Sequence, residues 1–213
     1  MSIVFTDRAD AGRRLGALVA ESGLDVGAVL GLARGGVPVA AEVARRVGAA
    51  LDVLVVRKIG APHHRELAVG AVAETGAIVW ELGLLSQLGL DLAQMEGVVA
   101  GVRDEVRRQV SVYRGDRPAD GWGSRAVVIV DDGLATGASA AVAVRAVRER
   151  LGPGQQVVVA VPVASVEAVR RLRREADDVV AIQAPKRFRA VSTWYDDFHQ
   201  VTDDEVLAAL GPS

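Results

Sequence analysis

The apolar residues of this chain change period repeatedly. From 7 to 22, Leu15, Leu18 and Val19 recur at helical spacing behind Asp7, a suitable N-cap, and predict a helix. Val26 to Leu30 is a short unbroken apolar run ending in glycine, the mark of a buried strand. Val39, Val43 and Val47 then recur four apart and predict a second helix over 37–47. The same reasoning predicts strands at 51–56, 127–130, 157–161 and 179–182, and helices at 137–151 and 165–175. Short Val-rich strands alternating with helices imply a parallel sheet covered on both faces. The expected architecture is α/β, a doubly wound and mostly parallel five-stranded sheet in one domain over residues 1–213.

One stretch breaks the rhythm. From Arg57 to about residue 80, Gly and Pro punctuation predicts a flexible loop, with Val69 to Val72 and Ile78 to Trp80 as a small hairpin or lid. Residues 91–113 read as one long inserted helix whose apolar stripe is Leu92, Met95, Val99, Val102, Val106 and Val110. That stripe would serve the core or an interface between copies of the chain. The segment 183–201 holds Phe188, Trp194, Tyr195 and Phe198, half of the chain's aromatic residues, and predicts a small C-terminal cover.

Composition narrows the function classes. A formal charge of −2 gives no whole-chain case for binding nucleic acid or an anionic membrane. The one local exception is Arg103, Arg107, Arg108 and Arg114 along the long helix, a face that Asp104 and Glu105 dilute. With no cysteine there is no disulfide, thiolate metal site or cysteine nucleophile. No secretory signal and no membrane-length apolar run is visible, so a soluble cytoplasmic protein is expected.

The densest chemistry lies from Val127 to Ser139, VVIVDDGLATGAS. A buried strand there delivers Asp131 and Asp132 to its C-terminal end, the edge of an open α/β sheet where ligands bind. Ala135, Thr136, Gly137, Ala138 and Ser139 follow, small and hydroxylated, before a helix begins. Such a loop can wrap a phosphate with backbone N–H groups. Two carboxylates beside a phosphate make sense when the ligand also presents hydroxyls or a divalent cation. A ribose 5-phosphate unit fits, its vicinal hydroxyls meeting the acids and its 5-phosphate meeting the loop. The chain has no G-K-[ST] of a P-loop and no G-x-G-x-x-G, and Gly133 stands where a D-x-D phosphatase needs its second acid.

Two further elements point to the same sheet edge. Ala33, Arg34, Gly35 and Gly36 follow the first strand, with glycines that let the backbone approach an anion and an arginine that offers a fork of donors. Arg57 and Lys58 follow the second strand and would neutralise anionic charge. His63, His64 and Glu66 lack a third convergent ligand and read as loop residues, not as a metal site.

The Val127–Ser139 stretch resembles the phosphoribosyl pyrophosphate (PRPP) motif of type I phosphoribosyltransferases. The resemblance extends over nearly the whole chain, from FTDRADAG through GLARGGVP and VRKIGAP to the WYDDF tail, and is closest to a bacterial group of the family. It implies a PRPP-dependent transferase acting on a small nitrogen acceptor, in the family pattern a nucleobase, with Mg2+ held mainly by ligand and water beside Asp131 and Asp132. It implies catalytic roles for Asp131, Asp132, Arg34 and Lys58. The 5-phosphate would fall to residues 135–139, and the pyrophosphate to residues 33–36, Arg57 and Lys58. In the family the loop after the first core strand often contains a cis peptide, and many members are dimers. Residues 183–201 are similar to a hood over the base, which would assign base contacts to Phe188, Trp194, Tyr195, Asp196 and Asp197. Ala135 stands where hypoxanthine-guanine enzymes have an acid, and Val161–Ala164 lacks their purine-contacting lysine, so the acceptor stays open. A PRPP- or nucleotide-sensing regulator and a vestigial site on the same fold are the other two readings.

Overall fold

The computed structural model describes residues 3–62, 64–115, 122, 125–152 and 154–211, except for the side chains of residues 65 and 66. Five strands form the main sheet: β1 (Val26–Leu32), β2 (Ala50–Leu54), β6 (Ala126–Val130), β7 (Val157–Val163) and β8 (Asp178–Gln183). Their order is β2-β1-β6-β7-β8, and every neighbouring pair is parallel. The unbroken apolar runs follow from burial on both faces. Ala28, Leu30, Val127 and Ile129 face one core, and Val29, Val128 and Val130 face the other.

Helices α1 (Arg8–Glu21) and α2 (Gly36–Val47) cover the second of those faces through Leu15, Val19, Val39 and Val43. Asp7 caps α1 as the sequence predicts, its side chain accepting from the Asp10 amide at 2.7 Å. The opposite face is covered by α5 (Ala138–Arg148) and α6 (Val166–Leu172).

The stretch expected as a loop is instead a second sheet. Strands β3 (Val56–Ala61), β4 (His64–Ala73) and β5 (Ile78–Trp80) form an antiparallel sheet. The 69–80 hairpin is there, with Val72 opposite Ile78 and Gly70 opposite Trp80. The Gly and Pro residues that suggested a loop accompany register shifts at Ile59–Gly60–Ala61, where the strand bulges without ending. The single strand expected over 51–56 is therefore two, separated at Val55. The polar groups freed at that break are satisfied inside the protein: Glu74 accepts from the Val55 amide at 3.0 Å, and Arg114 bonds both Glu74 and the Val53 carbonyl.

A short helix α3 (Leu82–Gln87) leads to α4 (Glu96–Arg114), which starts five residues later than expected. Met95, Val99 and Val106 of the predicted stripe are buried and Val102 and Val110 partly so, against the small sheet. Leu92 is exposed, because residues 92–95 form a turn. A final helix α7 (Asp203–Leu210), unforeseen in the sequence, is held by a capping box of Thr202 and Glu205 and buries Val206 in the same core. No helix among the described residues is long and apolar enough to cross a membrane.

Candidate active site

Leaving β1, the chain turns onto the α2 face; leaving β6, it turns onto the α5 face. A crevice opens where adjacent parallel strands send their connections to opposite faces, beyond the strand ends. Both loops singled out in the sequence meet there. Gly35 lies so close to the acid pair that an added Cβ would sit 2.1 Å from Asp132 Oδ2. A Cβ on Gly36 would sit 2.5 Å from the Val130 carbonyl oxygen. Only glycines let these loops touch. The Ala33–Arg34 peptide is cis.

The two carboxylates are half-buried and each has one oxygen engaged by the protein. Asp131 Oδ1 accepts from the Asp132 amide at 2.9 Å. Asp132 Oδ2 accepts from Arg8 Nε at 2.9 Å, and Arg8 Nη2 lies at 2.9 Å from the same oxygen. Burial pushes Asp131 well above the usual carboxylate range, and the neighbouring Asp132 charge adds to it. Burial also raises Asp132, against the opposing pull of Arg8 and, to a smaller degree, Lys58. Burial thus disfavours the charge of both acids despite the nearby cations, as functional clusters commonly do.

Behind the acids, the loop 133–139 is shaped by contacts from a distant part of the chain. The Leu134 amide donates to the Val163 carbonyl at 2.9 Å, and the Ser165 amide donates to Leu134. Buried Ser165 donates from its hydroxyl to the Ala135 carbonyl at 2.6 Å while accepting from Ala168 as the N-cap of α6. Gly137 closes the loop at φ +75°, a left-handed conformation that suits glycine, and α5 begins at the next residue. Ala135 and Thr136 are left exposed, ahead of the first-turn N–H groups of α5.

The remaining predicted residues divide. Lys58 is exposed, and its charge acts on both acids. Arg57 lies one residue away on the same strand and so faces the other side, where its charge acts on Glu105 of α4. The expected basic pair therefore does not converge. Arg34 forms an ion pair with Asp203 of α7 at 3.6 Å, and Asp203 also accepts from the Tyr113 hydroxyl at 2.5 Å.

In the hood, Tyr195 is buried: its ring packs against Phe5 and Phe198, and its hydroxyl donates to the Asp132 carbonyl at 2.5 Å. That side chain supports the acid loop and is not open to a base. Trp194 is half-buried in the same aromatic cluster, whereas Phe188 is half-buried outside it. Asp196 and Asp197 are exposed, with their amides donating to the carbonyls of Phe5 and Thr6. Val191 lies against Gly133, where an added Cβ would meet its side chain at 2.5 Å.

The arginines of α4 do not make a basic face. Arg107 pairs with Asp104, Arg108 with Glu105 and Asp203, and Arg114 is buried against Glu74. Among the described residues no cluster of three or more His, Asp or Glu could hold a metal ion. His63 and the Glu66 side chain lie outside the described residues.

Arg8 and Ser165 escaped the sequence reading. The signal for Arg8 was present: it heads the buried stripe Arg8, Ala11, Gly12, Leu15, Gly16 and Val19, where a charge needs a buried partner. Ser165 carried only an N-cap signal, and its bond to Ala135 is long-range.

Comparison with known proteins agrees with this geometry. Residues 8–197 match the model of the phosphoribosyl transferase domain. The chain is 43% identical over 207 residues to two Mycobacterium tuberculosis proteins, from strains CDC 1551 and H37Rv, whose names propose a phosphoribosyl transferase. The match takes in 97% of this chain but only 46% of those relatives, so the chain spans about half their length. The crystal structure of TT1426 from Thermus thermophilus is 47% identical and superposes with a TM-score of 0.78 over 99% of this chain and 98% of that one. With the domain match running from Arg8 through the acid pair to Asp197, the chain belongs to the phosphoribosyl transferase family.

Proposed function

We propose that this protein transfers the ribose 5-phosphate unit of PRPP to a small nitrogen acceptor, in the family pattern a nucleobase, and releases pyrophosphate. The bond from ribose C1 to pyrophosphate breaks with its electron pair leaving on the pyrophosphate. A bond from C1 to the acceptor nitrogen forms, and that nitrogen gives up a proton.

The observation that carries the reading is the pattern of occupied and unoccupied carboxylate oxygens. Protein donors engage Asp131 Oδ1 and Asp132 Oδ2. Among the described residues no hydrogen bond is made to Asp131 Oδ2 or Asp132 Oδ1, which leaves them to accept from the two vicinal ribose hydroxyls. Residues 135–139 and the α5 N-terminus bind the 5-phosphate. Arg34 and Lys58 bind the pyrophosphate and stabilise its growing charge. As C1 becomes cationic, the charge on Asp131 and Asp132, disfavoured by burial in the free protein, gains a partner. The interaction is then stronger in the transition state than in the ground state, which is the condition for catalysis.

Two carboxylates with one free oxygen each, and no third ligand among the described residues, suit a magnesium ion that arrives with its substrate. Asp131 and Asp132 would hold it, directly or through water. When bound, magnesium neutralises the pyrophosphate and orients it as a leaving group.

Calorimetric titration of magnesium-PRPP into the wild type and Asp132→Asn, with pyrophosphate release followed in parallel, tests the reading. The wild type should bind. Asp132→Asn should lose about 10²–10³ in rate of pyrophosphate release with the fold intact. A wild type that does not bind, or a variant with unchanged activity, would refute the assignment.

A further inference from the structure

Arg8 makes three contacts at once, one with the acid loop and two with the hood. Its Nε and Nη2 lie at 2.9 Å from the same oxygen of Asp132. Its Nη1 donates to the His199 carbonyl of the hood at 2.9 Å, and the guanidinium lies 4.0 Å from the centre of the Phe198 ring. The side chain is only 9% exposed. Little freedom remains to it, and what it fixes is one oxygen of one catalytic carboxylate.

We propose that Arg8 is a positioning residue for Asp132: its Nε–H donates to Oδ2 while its Nη2 pairs with the same oxygen, which holds the carboxylate in one rotamer and thereby reserves Oδ1 for the ligand. The proposal rests on the phosphoribosyl transfer reading above. An exposed arginine–carboxylate pair is worth little, but here both partners are largely enclosed and the arginine is anchored from behind. A carboxylate that lost this partner would keep its burial and lose the charge that opposes it. The other groups facing Asp132 are the Lys58 ammonium from β3, the Asp131 carboxylate beside it, and the Tyr195 hydroxyl from the hood.

Arg8 also links the acceptor side of the cleft to the donor side. The hood reaches the acid pair along two routes, Phe198 and His199 through Arg8, and Tyr195 directly to the Asp132 backbone. Only the first carries charge. The two routes can therefore be separated by experiment.

The experiment is magnesium-PRPP calorimetry at pH 7 on the wild type, Arg8→Gln, Arg8→Lys and Tyr195→Phe. The Asp132 carboxyl 13C signal is recorded at the same pH in the unliganded proteins. Arg8→Gln should weaken PRPP binding by up to about 10²-fold and shift the Asp132 signal. Arg8→Lys keeps the charge without the fork and should restore part of the lost affinity. Tyr195→Phe breaks the other route and should weaken binding with the Asp132 side-chain signal at its wild-type position.

Wild-type affinity in both Arg8 variants, or an Asp132 carboxyl signal unchanged in Arg8→Gln, would overturn the proposal. If the wild type itself does not bind PRPP, the transfer reading fails, and the Asp132 signal still decides whether Arg8 holds that carboxylate. If Arg8→Gln does not fold, Arg8→Lys decides: weakened binding supports the proposal, and wild-type affinity overturns it.

Discussion

Between Val127 and Ser139, strand, carboxylates, phosphate loop and helix start follow one another in one unbroken stretch. Between Gln183 and Val201 there is one short 3₁₀ turn, and its surroundings are supplied by the other end of the chain. Phe5 pairs with Tyr195, the Asp196 and Asp197 amides bond Phe5 and Thr6, and Gln183 brackets Ile3 with both ends of its amide. The side of the cleft proposed to bind PRPP is built locally and buttressed at long range. The side proposed to receive the acceptor is largely long-range. A locally built site tolerates change around it; a site assembled from chain ends can vary its acceptor while the phosphoribosyl machinery stays in place.

The largest effect should come from breaking the donor side where its two loops touch. Gly35→Ala drives a methyl group into Asp132 Oδ2, the oxygen that Arg8 holds, so the carboxylate or the glycine loop must move. Magnesium-PRPP affinity should fall by at least about 10²-fold, measured by calorimetry. Near wild-type affinity would mean that the two loops do not act together.

The long-range support comes next. Ser165→Ala removes the donor to the Ala135 carbonyl and the N-cap of α6. It should cost about 1–3 kcal/mol in thermal unfolding. It should also weaken PRPP binding more than binding of free pyrophosphate, because the loss falls on the 5-phosphate loop. Equal weakening of both ligands would assign Ser165 to stability alone.

The acid pair itself predicts a gain in stability. Burial raises Asp131 in the folded protein above its unfolded value. The folded state therefore binds the proton more tightly, and the contribution of Asp131 to stability declines as pH rises from the ordinary aspartate range. Asp131→Asn should melt higher than the wild type at pH 7. The gain should vanish below about pH 4, where the aspartate is protonated in both states. A lower melting temperature at pH 7 would contradict the stored electrostatic cost.

The smallest effect on the donor side should follow a change in the hood. Phe188→Ala, half-buried and outside the aromatic cluster, should leave PRPP affinity within about twofold. Steady-state kinetics with an accepted base should change. An equal loss of PRPP affinity would join the two sides that the comparison separates.

The same division explains what was legible in the sequence. The main sheet, its helices and the acid loop could be read because each is encoded by residues next to one another. Their apolar runs reflect burial on both faces. Of the small sheet only the 69–80 hairpin could be read: Gly60, Ala61 and Pro62 read as loop, and the covering of β3 by α4 becomes visible only once both are placed. Arg57 and Lys58 looked like one basic pair until strand alternation set them on opposite faces. The resemblance to a base-covering hood assigns Tyr195 to the base, whereas its ring fills the space between Phe5 and Phe198. Arg8 was readable in principle, as a charge on a buried helical stripe.

The most direct measurement is pyrophosphate release from magnesium-PRPP in the presence of a panel of purines, pyrimidines and other nitrogen acceptors. The account predicts acceptor-dependent release that Asp132→Asn loses. Tight binding of magnesium-PRPP with no release for any acceptor would contradict it and would make this fold a sensor of PRPP.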